Sequence, residues 1–141
     1  IYLLKDRVKE AFFVVNCDVV LDIDYSELVK FHNMGDYDLT LVASLRQYTI
    51  PYGVCDIDSQ GLLISMHEKP KQDLLVNTGL YFLNLNVLDL ISGSEFLHMT
   101  DIIQILKEKD LEVGVYPVSE KSWLDVDQWE EYSATLKQLG L

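Results

Sequence analysis

The sequence is poor in basic residues, with 11 Lys and Arg against 23 Asp and Glu, a formal net charge of −12 over 141 residues. Phosphate contacts need clustered lysine and arginine, so this balance argues against a nucleic-acid-binding or anionic-membrane-binding surface. A protein of this charge that handled phosphorylated substrates would need a divalent cation or a few well-placed basic groups. The length suits one domain with a core and is short for two.

Cysteine is scarce as well, and hydrophobic runs are short. The two cysteines, Cys17 and Cys55, both fall in apolar, strand-like segments, which predicts free buried thiols and a reducing, cytoplasmic setting. No run reaches the ~18 apolar residues of a membrane span, so no membrane partner is expected. The three histidines show no metal-ligand spacing, and His32, on an apolar helical face, is predicted to be structural.

The first half of the chain predicts a strand, a helix and a second strand. Residues 11–16 (AFFVVN) form a continuous apolar run, typical of a central parallel strand covered on both faces. Asp24 precedes Glu27 by the spacing of a capping box, and Gly35 is a natural helix stop. Residues 38–46 then alternate like a strand. This βαβ order favours an α/β fold with a mostly parallel sheet.

The second half adds a hairpin, more strands and two helices. Residues 53–58 and 62–67 flank Ser59-Gln60-Gly61, which predicts a hairpin with a glycine turn. Further strands are predicted at 76–84, 112–118 and 123–126, and helices at 100–108 and 127–139. Three aromatic residues are expected in the core near the last helix: Trp123, Trp129 and Tyr132. No repeat or linker divides the chain, so residues 1–141 are predicted to form one domain.

Charged residues stand at three predicted strand ends. Glu68, Lys69 and Pro70 close one strand, and this carboxylate and cation suit the hydroxyls and phosphate of a sugar phosphate. Asp18 and Asp125 each follow a strand, and ligands bind outside strand ends in open α/β sheets. Two converging carboxylates are a usual way of holding Mg²⁺. On position alone, helix or turn capping by the aspartates and a surface Glu–Lys pair remain open alternatives.

Six motifs in order along the chain resemble those of the sugar-1-phosphate nucleotidyltransferases, and look most like the mannose-1-phosphate guanylyltransferase-like branch. The motifs are FFVVNCD, DYSELVKFH, YGVCDIDSQGLL, HEKP, VNTGLYFLN and WLDVDQWEEY. The resemblance covers nearly the whole chain from about Ala11 onward. It implies a Rossmann-like α/β fold of the nucleotide-diphospho-sugar transferase type, with a mixed, mostly parallel sheet flanked by helices.

The resemblance also implies a reaction and the residues that carry it. A sugar-1-phosphate oxygen would attack the α-phosphorus of a nucleoside triphosphate in line, and pyrophosphate would leave. Asp18 and Asp125 would be catalytic ligands of Mg²⁺, and Lys69 the catalytic contact to the sugar phosphate. Residues expected to bind the sugar and to line one pocket are Glu68, Tyr52, Gly53, Asn77 and Thr78.

The sequence departs from the family pattern in three places. The Gly-rich loop whose Arg and Lys cradle the triphosphate is absent, so we expect a fragment of the catalytic domain without its N-terminal strands and nucleotide-binding loop. Cys17 replaces a glycine between Asn16 and Asp18, where a thiol could narrow the space beside the metal. Asp127 replaces a glycine two residues after Asp125, where it adds negative charge or caps the last helix.

Two functional interpretations follow. Retention of both aspartates and of the Glu–Lys pair favours an active enzyme, because unpartnered charges in a pocket cost stability. The alternative, favoured by Cys17 and Asp127, is a catalytically inactive, nucleotidyltransferase-like regulatory domain that binds a sugar phosphate or nucleotide. A structural domain with no ligand would leave the motif pattern to chance. A sheet edge exposed in a fragment would also allow a homo-oligomer.

Overall fold

The computed structural model describes residues 1–5, 7–91 and 96–125. Its strands are β1 (Phe12–Val15), β2 (Val19–Leu21), β3 (Leu39–Thr49), β4 (Gly53–Ile57), β5 (Leu63–Glu68), β6 (Lys71–Leu83), β7 (Val113–Val118) and β8 (Trp123–Asp125). Its helices are α1 (Tyr25–Met34), α2 (Asn86–Leu90) and α3 (Met99–Glu108), with 3₁₀ turns at Tyr2–Leu4 and Glu120–Ser122. The helix predicted at 127–139 lies outside the described residues, as do Trp129 and Tyr132.

Four strands form the central sheet, in the order β1-β6-β3-β7. β6 runs antiparallel to β1 and β3, and β3 runs parallel to β7. Three strands therefore point one way and β6 points the other, which is the mixed sheet that was predicted. Two further antiparallel pairs, β2 with β8 and β4 with β5, stand apart from this sheet.

Helices cover the central sheet on both faces. On one face Leu83 of β6 lies in a core cluster with Leu106 of α3. On the other face Leu28 of α1 packs with Val42 of β3 and Leu80 of β6. Successive strand residues point to opposite faces, which is why Leu80 and Leu83 belong to different clusters. The predicted α/β arrangement of a sheet flanked by helices is confirmed.

Helix α1 begins at the residue that the sequence predicts. The Asp24 carboxylate accepts hydrogen bonds from the backbone N–H groups of Ser26 at 2.8 Å and Glu27 at 3.3 Å. These bonds satisfy donors that have no partner within the first helical turn. The Glu27 side chain pairs with Lys30 at 2.7 Å, so the N-cap is present while Glu27 serves a helix-surface ion pair. Gly35 is the C-cap, as expected.

The expected central position of β1 was wrong for the described residues. There β1 has one neighbour, β6, and its exposure alternates along the strand. The strand with partners on both sides is β3. Its polar Thr40 is fully buried. The burial is tolerated because the Thr40 hydroxyl shares a 2.8 Å hydrogen bond with Nδ1 of the buried His32. The structural role predicted for His32 is therefore confirmed.

The predicted burial of the two thiols was also wrong. Cys17 and Cys55 are free, as expected, but exposed. Cys17 lies in the turn between β1 and β2, and Cys55 lies in β4, which pairs with β5 alone among the described strands. No layer of the described structure covers either position. Within the described ranges, no helix is long and apolar enough to cross a membrane.

The predicted hairpin is confirmed. At its turn the Asp58 carboxylate accepts hydrogen bonds from the N–H groups of Gln60 and Leu62, both at 2.9 Å, and Gly61 has a φ of +86°. β6 begins at Lys71 rather than at residue 76 and pairs with β3 as far as Thr49. Residues 45–49 and 71–75 thus form a two-stranded extension, which we call the arm. The short helix α2 was not predicted, because one turn carries no periodic signal.

Candidate functional site

Asp18 lies in the turn after β1, at the carboxyl end of that strand, and is half-buried. The next residue, Val19, begins β2 and pairs in register with Asp125 of β8. Register partners in antiparallel strands have Cα atoms about 4.5–5.5 Å apart. The fold therefore brings positions 18 and 125, from distant parts of the sequence, to neighbouring points of the backbone.

The Asn-Thr-Gly motif lies beside the same turn. The backbone N–H of Asn16 donates to the carbonyl oxygen of Gly79 at 3.0 Å. Gly79 has a φ of +84°, a conformation that favours glycine, and a Cβ at this position would lie 2.6 Å from Nδ2 of Asn16. Gly79 thus permits the turn that carries Asp18 to approach β6 closely.

A bulge in β6 creates this junction. Leu41 of β3 pairs with Tyr81, while Ala43 pairs with Asn77, so two steps along β3 face four steps along β6. The Asn77 side chain is engaged at both ends: Nδ2 donates to the Tyr81 hydroxyl at 2.7 Å, and Oδ1 accepts from the N–H of Gly79 at 3.0 Å. These bonds fix the local backbone at the strand end.

Thr78 lies inside the bulge. Its hydroxyl donates to the carbonyl oxygen of Val42 at 2.9 Å, and the residue is only 2% exposed. Val42 stands between the two β3 residues whose partners are displaced by the bulge, so the hydroxyl replaces a ladder partner there. Thr78 is therefore buried, whereas its neighbour Asn77 is exposed. A direct contact between Thr78 and a ligand stays a prediction.

The remaining predicted residues meet at the open end of the β4–β5 hairpin. Gly53 pairs in register with Glu68, and a Cβ at Gly53 would lie 3.2 Å from Oε2 of Glu68. The N–H of Lys69 donates to the carbonyl oxygen of Tyr52 at 3.3 Å. Lys69 has a φ of +47°, which is uncommon for a residue other than glycine. Tyr52, Glu68 and Lys69 are all exposed.

The first part of β6 connects the hairpin residues to Asn77. The extended segment from Lys71 to Asn77 spans about 20 Å at ~3.3 Å per residue. β1 pairs with β6 at residues 80–83, so the arm continues beyond the strand end where Asp18 lies. The sequence predicts one pocket lined by both groups of residues, and this stays a prediction. The length of the arm was not foreseen, because the predicted strand began at residue 76.

Sequence reasoning missed two residues that shape the site, Asn16 and Gly79. Asn16 was visible as a turn-forming residue directly after a strand, and Gly79 as an isolated glycine within a strand, which is a signal for a bulge or close backbone approach. Among the described residues, no group of three or more His, Cys, Asp or Glu side chains is arranged to hold a metal ion. The described protein side chains thus do not form a complete metal cage by themselves.

The structure defines an α/β protein with polar residues gathered at a strand end of a mixed sheet and along a protruding arm. The family model described as nucleotidyl transferase matches residues 1–140. The chain belongs to the nucleotidyl transferase family.

Curated relatives are similar over most of this chain. It is 32% identical to mannose-1-phosphate guanyltransferase 2 of Candida glabrata over 147 residues, which cover 94% of this chain and 37% of the relative. It is 34% identical to the mannose-1-phosphate guanyltransferase of Saccharomyces cerevisiae over 135 residues, which cover 92% of this chain and 36% of the relative. The chain therefore spans little more than a third of the length of these relatives.

Solved structures show the same fold. The crystal structure of HddC from Yersinia pseudotuberculosis superposes with a TM-score of 0.67 at 18% identity, covering 98% of this chain and 60% of that chain. The structure of HddC complexed with GMP-PN gives a TM-score of 0.65 at 20% identity with the same coverage. At these identities the likeness concerns the fold, and it agrees with the Rossmann-like type that was predicted.

Proposed function

We propose that this chain forms part of the catalytic domain of an enzyme that transfers a nucleotidyl group from a nucleoside triphosphate to a sugar-1-phosphate. The observation that carries the proposal is the pairing of β2 with β8, which sets Asp125 opposite the residue after Asp18 in a member of the nucleotidyl transferase family. Guanosine triphosphate and mannose-1-phosphate are the first substrates to test, since curated relatives bear the corresponding name.

The reaction exchanges one phosphorus–oxygen bond for another. A sugar-phosphate oxygen bonds to the α-phosphorus, the bond from that phosphorus to the bridging oxygen breaks, and pyrophosphate leaves with the electron pair. When bound, Mg²⁺ would neutralise charge on the phosphates. Asp18 and Asp125 would hold it through carboxylate oxygens. Mg²⁺ usually keeps water and substrate oxygens as ligands, so two carboxylates would suffice on the protein side, in keeping with the lack of a group of three or more His, Cys, Asp or Glu side chains in the described region.

The arm and hairpin would bind the sugar end of the substrate. Lys69 would donate to the sugar phosphate, and Glu68 would accept hydrogen bonds from sugar hydroxyls. Gly53 leaves space for the Glu68 carboxylate, and the ring of Tyr52, the residue before Gly53, is exposed. Asn77, at the base of the arm, would contact the same substrate with its exposed side chain.

Substitution of Asp18 tests the proposal. In the whole protein, Asp18→Asn should abolish Mg²⁺-dependent pyrophosphate release while leaving folding intact, because it removes a metal ligand and little packing. Asp22→Asn is the matched control, since Asp22 is an exposed carboxylate just past the end of β2. Turnover that survives in Asp18→Asn would refute the metal site. The assay should cover a grid of nucleoside triphosphates and sugar-1-phosphates.

A catalytically inactive regulatory domain is the second candidate. The exposed Cys17 favours it, because a thiol stands next to Asp18 where the family pattern has a glycine. Silence across the substrate grid, in a folded protein that still binds a nucleotide or sugar phosphate, would support this alternative. Turnover with any pair would exclude it.

A further inference from the structure

Arg46 of β3 contacts the segment that leads to Asp125 through two different groups. Its Nη1 donates to Oε1 of Glu120 at 3.2 Å. Its Cζ lies 4.6 Å from the centre of the Trp123 ring. Glu120 opens the 3₁₀ turn before β8, and Trp123 is the first residue of β8. The Arg46 guanidinium therefore connects the central sheet to Glu120, at the start of the 3₁₀ turn, and to Trp123, directly after that turn.

Such a contact matters because β8 is short. It has three residues and pairs with the three residues of β2. A two-stranded pair of this length is marginal on its own, so side-chain contacts must hold it against the sheet. Trp123 is 9% exposed and the Arg46 side chain 20% exposed. Cation–π and charge-assisted contacts gain strength where water is partly excluded.

The position of Trp123 determines the position of residue 125. The register of β8 on β2 places Trp123 opposite Leu21 and Asp125 opposite Val19, directly after Asp18. If Trp123 shifted, position 125 would move relative to Asp18. We infer that Arg46 is a positioning residue, which holds Glu120 and Trp123 so that Asp125 stays in register beside Asp18. This inference rests on the metal site of the proposed function.

Arginine suits this role better than lysine. Its planar guanidinium can stack on an aromatic ring and donate in its own plane at the same time, whereas an ammonium group acts as a compact point charge. Arg46→Lys keeps the positive charge for Glu120 and removes the guanidinium group that lies over the Trp123 ring. The matched control is Gln47→Ala, which removes a 2.9 Å hydrogen bond from the same strand to Asp73 of β6 and leaves β8 untouched.

Two measurements on the whole protein test the inference together. Hydrogen exchange should become faster in residues 119–125 of Arg46→Lys and remain unchanged there in Gln47→Ala. Binding of Mn²⁺, followed by the electron paramagnetic resonance of the free ion, should weaken about tenfold in Arg46→Lys, as is typical when a group that orients a metal ligand is altered. Gln47→Ala should bind Mn²⁺ like the unsubstituted protein.

The outcomes separate this inference from the proposed function. Unchanged exchange at residues 119–125 would overturn it, and so would faster exchange with unchanged Mn²⁺ affinity, which would make Arg46 structural only. If the unsubstituted protein bound no Mn²⁺, or if Asp18→Asn bound it equally well, the proposed metal site itself would fall. Should Arg46→Lys not fold, Glu120→Gln tests the other contact of Arg46 with the same two measurements, because it weakens the ion pair and keeps the ring contact.

Discussion

The two ends of β6 lie in different environments although they belong to one continuous strand. Residues 78–83 are buried, whereas residues 71–75 are exposed. The buried end meets the turn that carries Asp18, and the exposed end follows the hairpin that carries Glu68 and Lys69. The candidate metal position therefore lies in a half-buried turn beside the buried end of β6, and the candidate sugar contacts lie in the exposed hairpin next to the arm.

This difference bears on how each group can work. A region with few buried apolar contacts opens locally at lower free energy than the core does. We therefore expect the exposed hairpin and arm to adjust more readily than the turn around Asp18. Under the proposed function, a fixed turn would suit the reacting phosphates, which need accurate placement, and an adaptable hairpin would suit entry and release of the sugar.

Truncation of one leucine at each end of β6 should give the largest contrast. Leu83 is 0% exposed and Leu75 is 55% exposed. Leu83→Ala should lower the free energy of unfolding by about 2–5 kcal/mol because it leaves a cavity in the core. Leu75→Ala should change it by about 0.5 kcal/mol or less. Urea unfolding of both variants measures the difference, and equal losses would show that the arm is as tightly packed as the core.

Alanine at the two glycines that have a positive φ in the described part of the chain should separate backbone strain from steric contact. Gly61, in the hairpin turn, has no atom near the added Cβ, so Gly61→Ala should cost about 1–2 kcal/mol for its φ alone. Gly79→Ala carries the same strain and also displaces the Asn16 side chain, so its loss should be larger. Pyrophosphate release should fall in Gly79→Ala only, because Asn16 leads to Asp18. Equal stability and activity in the two variants would argue against a functional role for the close approach between Gly79 and the turn at Asn16.

A smaller effect is expected at the helix cap, and it should depend on pH. The Ser26 hydroxyl, donating at 2.6 Å, and then the N–H groups of Ser26 and Glu27 hold the pKa of Asp24 below its ordinary value. A lowered pKa means that the cap stabilises the fold above the ordinary aspartate pKa. That contribution is lost as pH falls through the lowered value. Asp24→Ala should therefore lower the thermal midpoint at neutral pH, and the difference from the unsubstituted protein should vanish in acid.

Asp58→Ala is the counterpart of that variant at the exposed end. Asp58 makes two backbone bonds in the hairpin turn, much as Asp24 does at the helix. Its loss should speed hydrogen exchange in β4 and β5 and leave the global thermal midpoint nearly unchanged. A global shift as large as that of Asp24→Ala would mean that the hairpin unfolds together with the core.

Elements with local signals could be predicted from the sequence. The Asp24 cap and the turn at Gly61 each depend on side chains within a few residues, so α1 and the hairpin were placed correctly. The position of β1 in the sheet depends on strands far away in the chain, and a continuous apolar run does not determine it. Residues 71–75 mix charged and apolar side chains, which concealed the first part of β6.

The candidate site shows the same limit. The family resemblance marked Asp18, Glu68, Lys69 and Asp125, but no spacing could show that β2 pairs with β8 and draws positions 18 and 125 together. The burial of Thr78 was equally hidden, because it follows from a bulge that forms only when β6 meets β3. The proximity of positions 18 and 125 and the burial of Thr78 thus depend on contacts between distant segments, which the motifs alone do not reveal.

The bulge at residues 77–81 has a consequence for chain length. Its surplus over β3 is an even number of residues, so the side chains beyond it regain the faces that they would have on a regular strand. Removing or adding one residue there would move each side chain from Leu80 to Leu83 to the opposite face of the sheet, so that each would face the other core cluster. Insertions or deletions at this point should therefore be tolerated only when they add or remove an even number of residues.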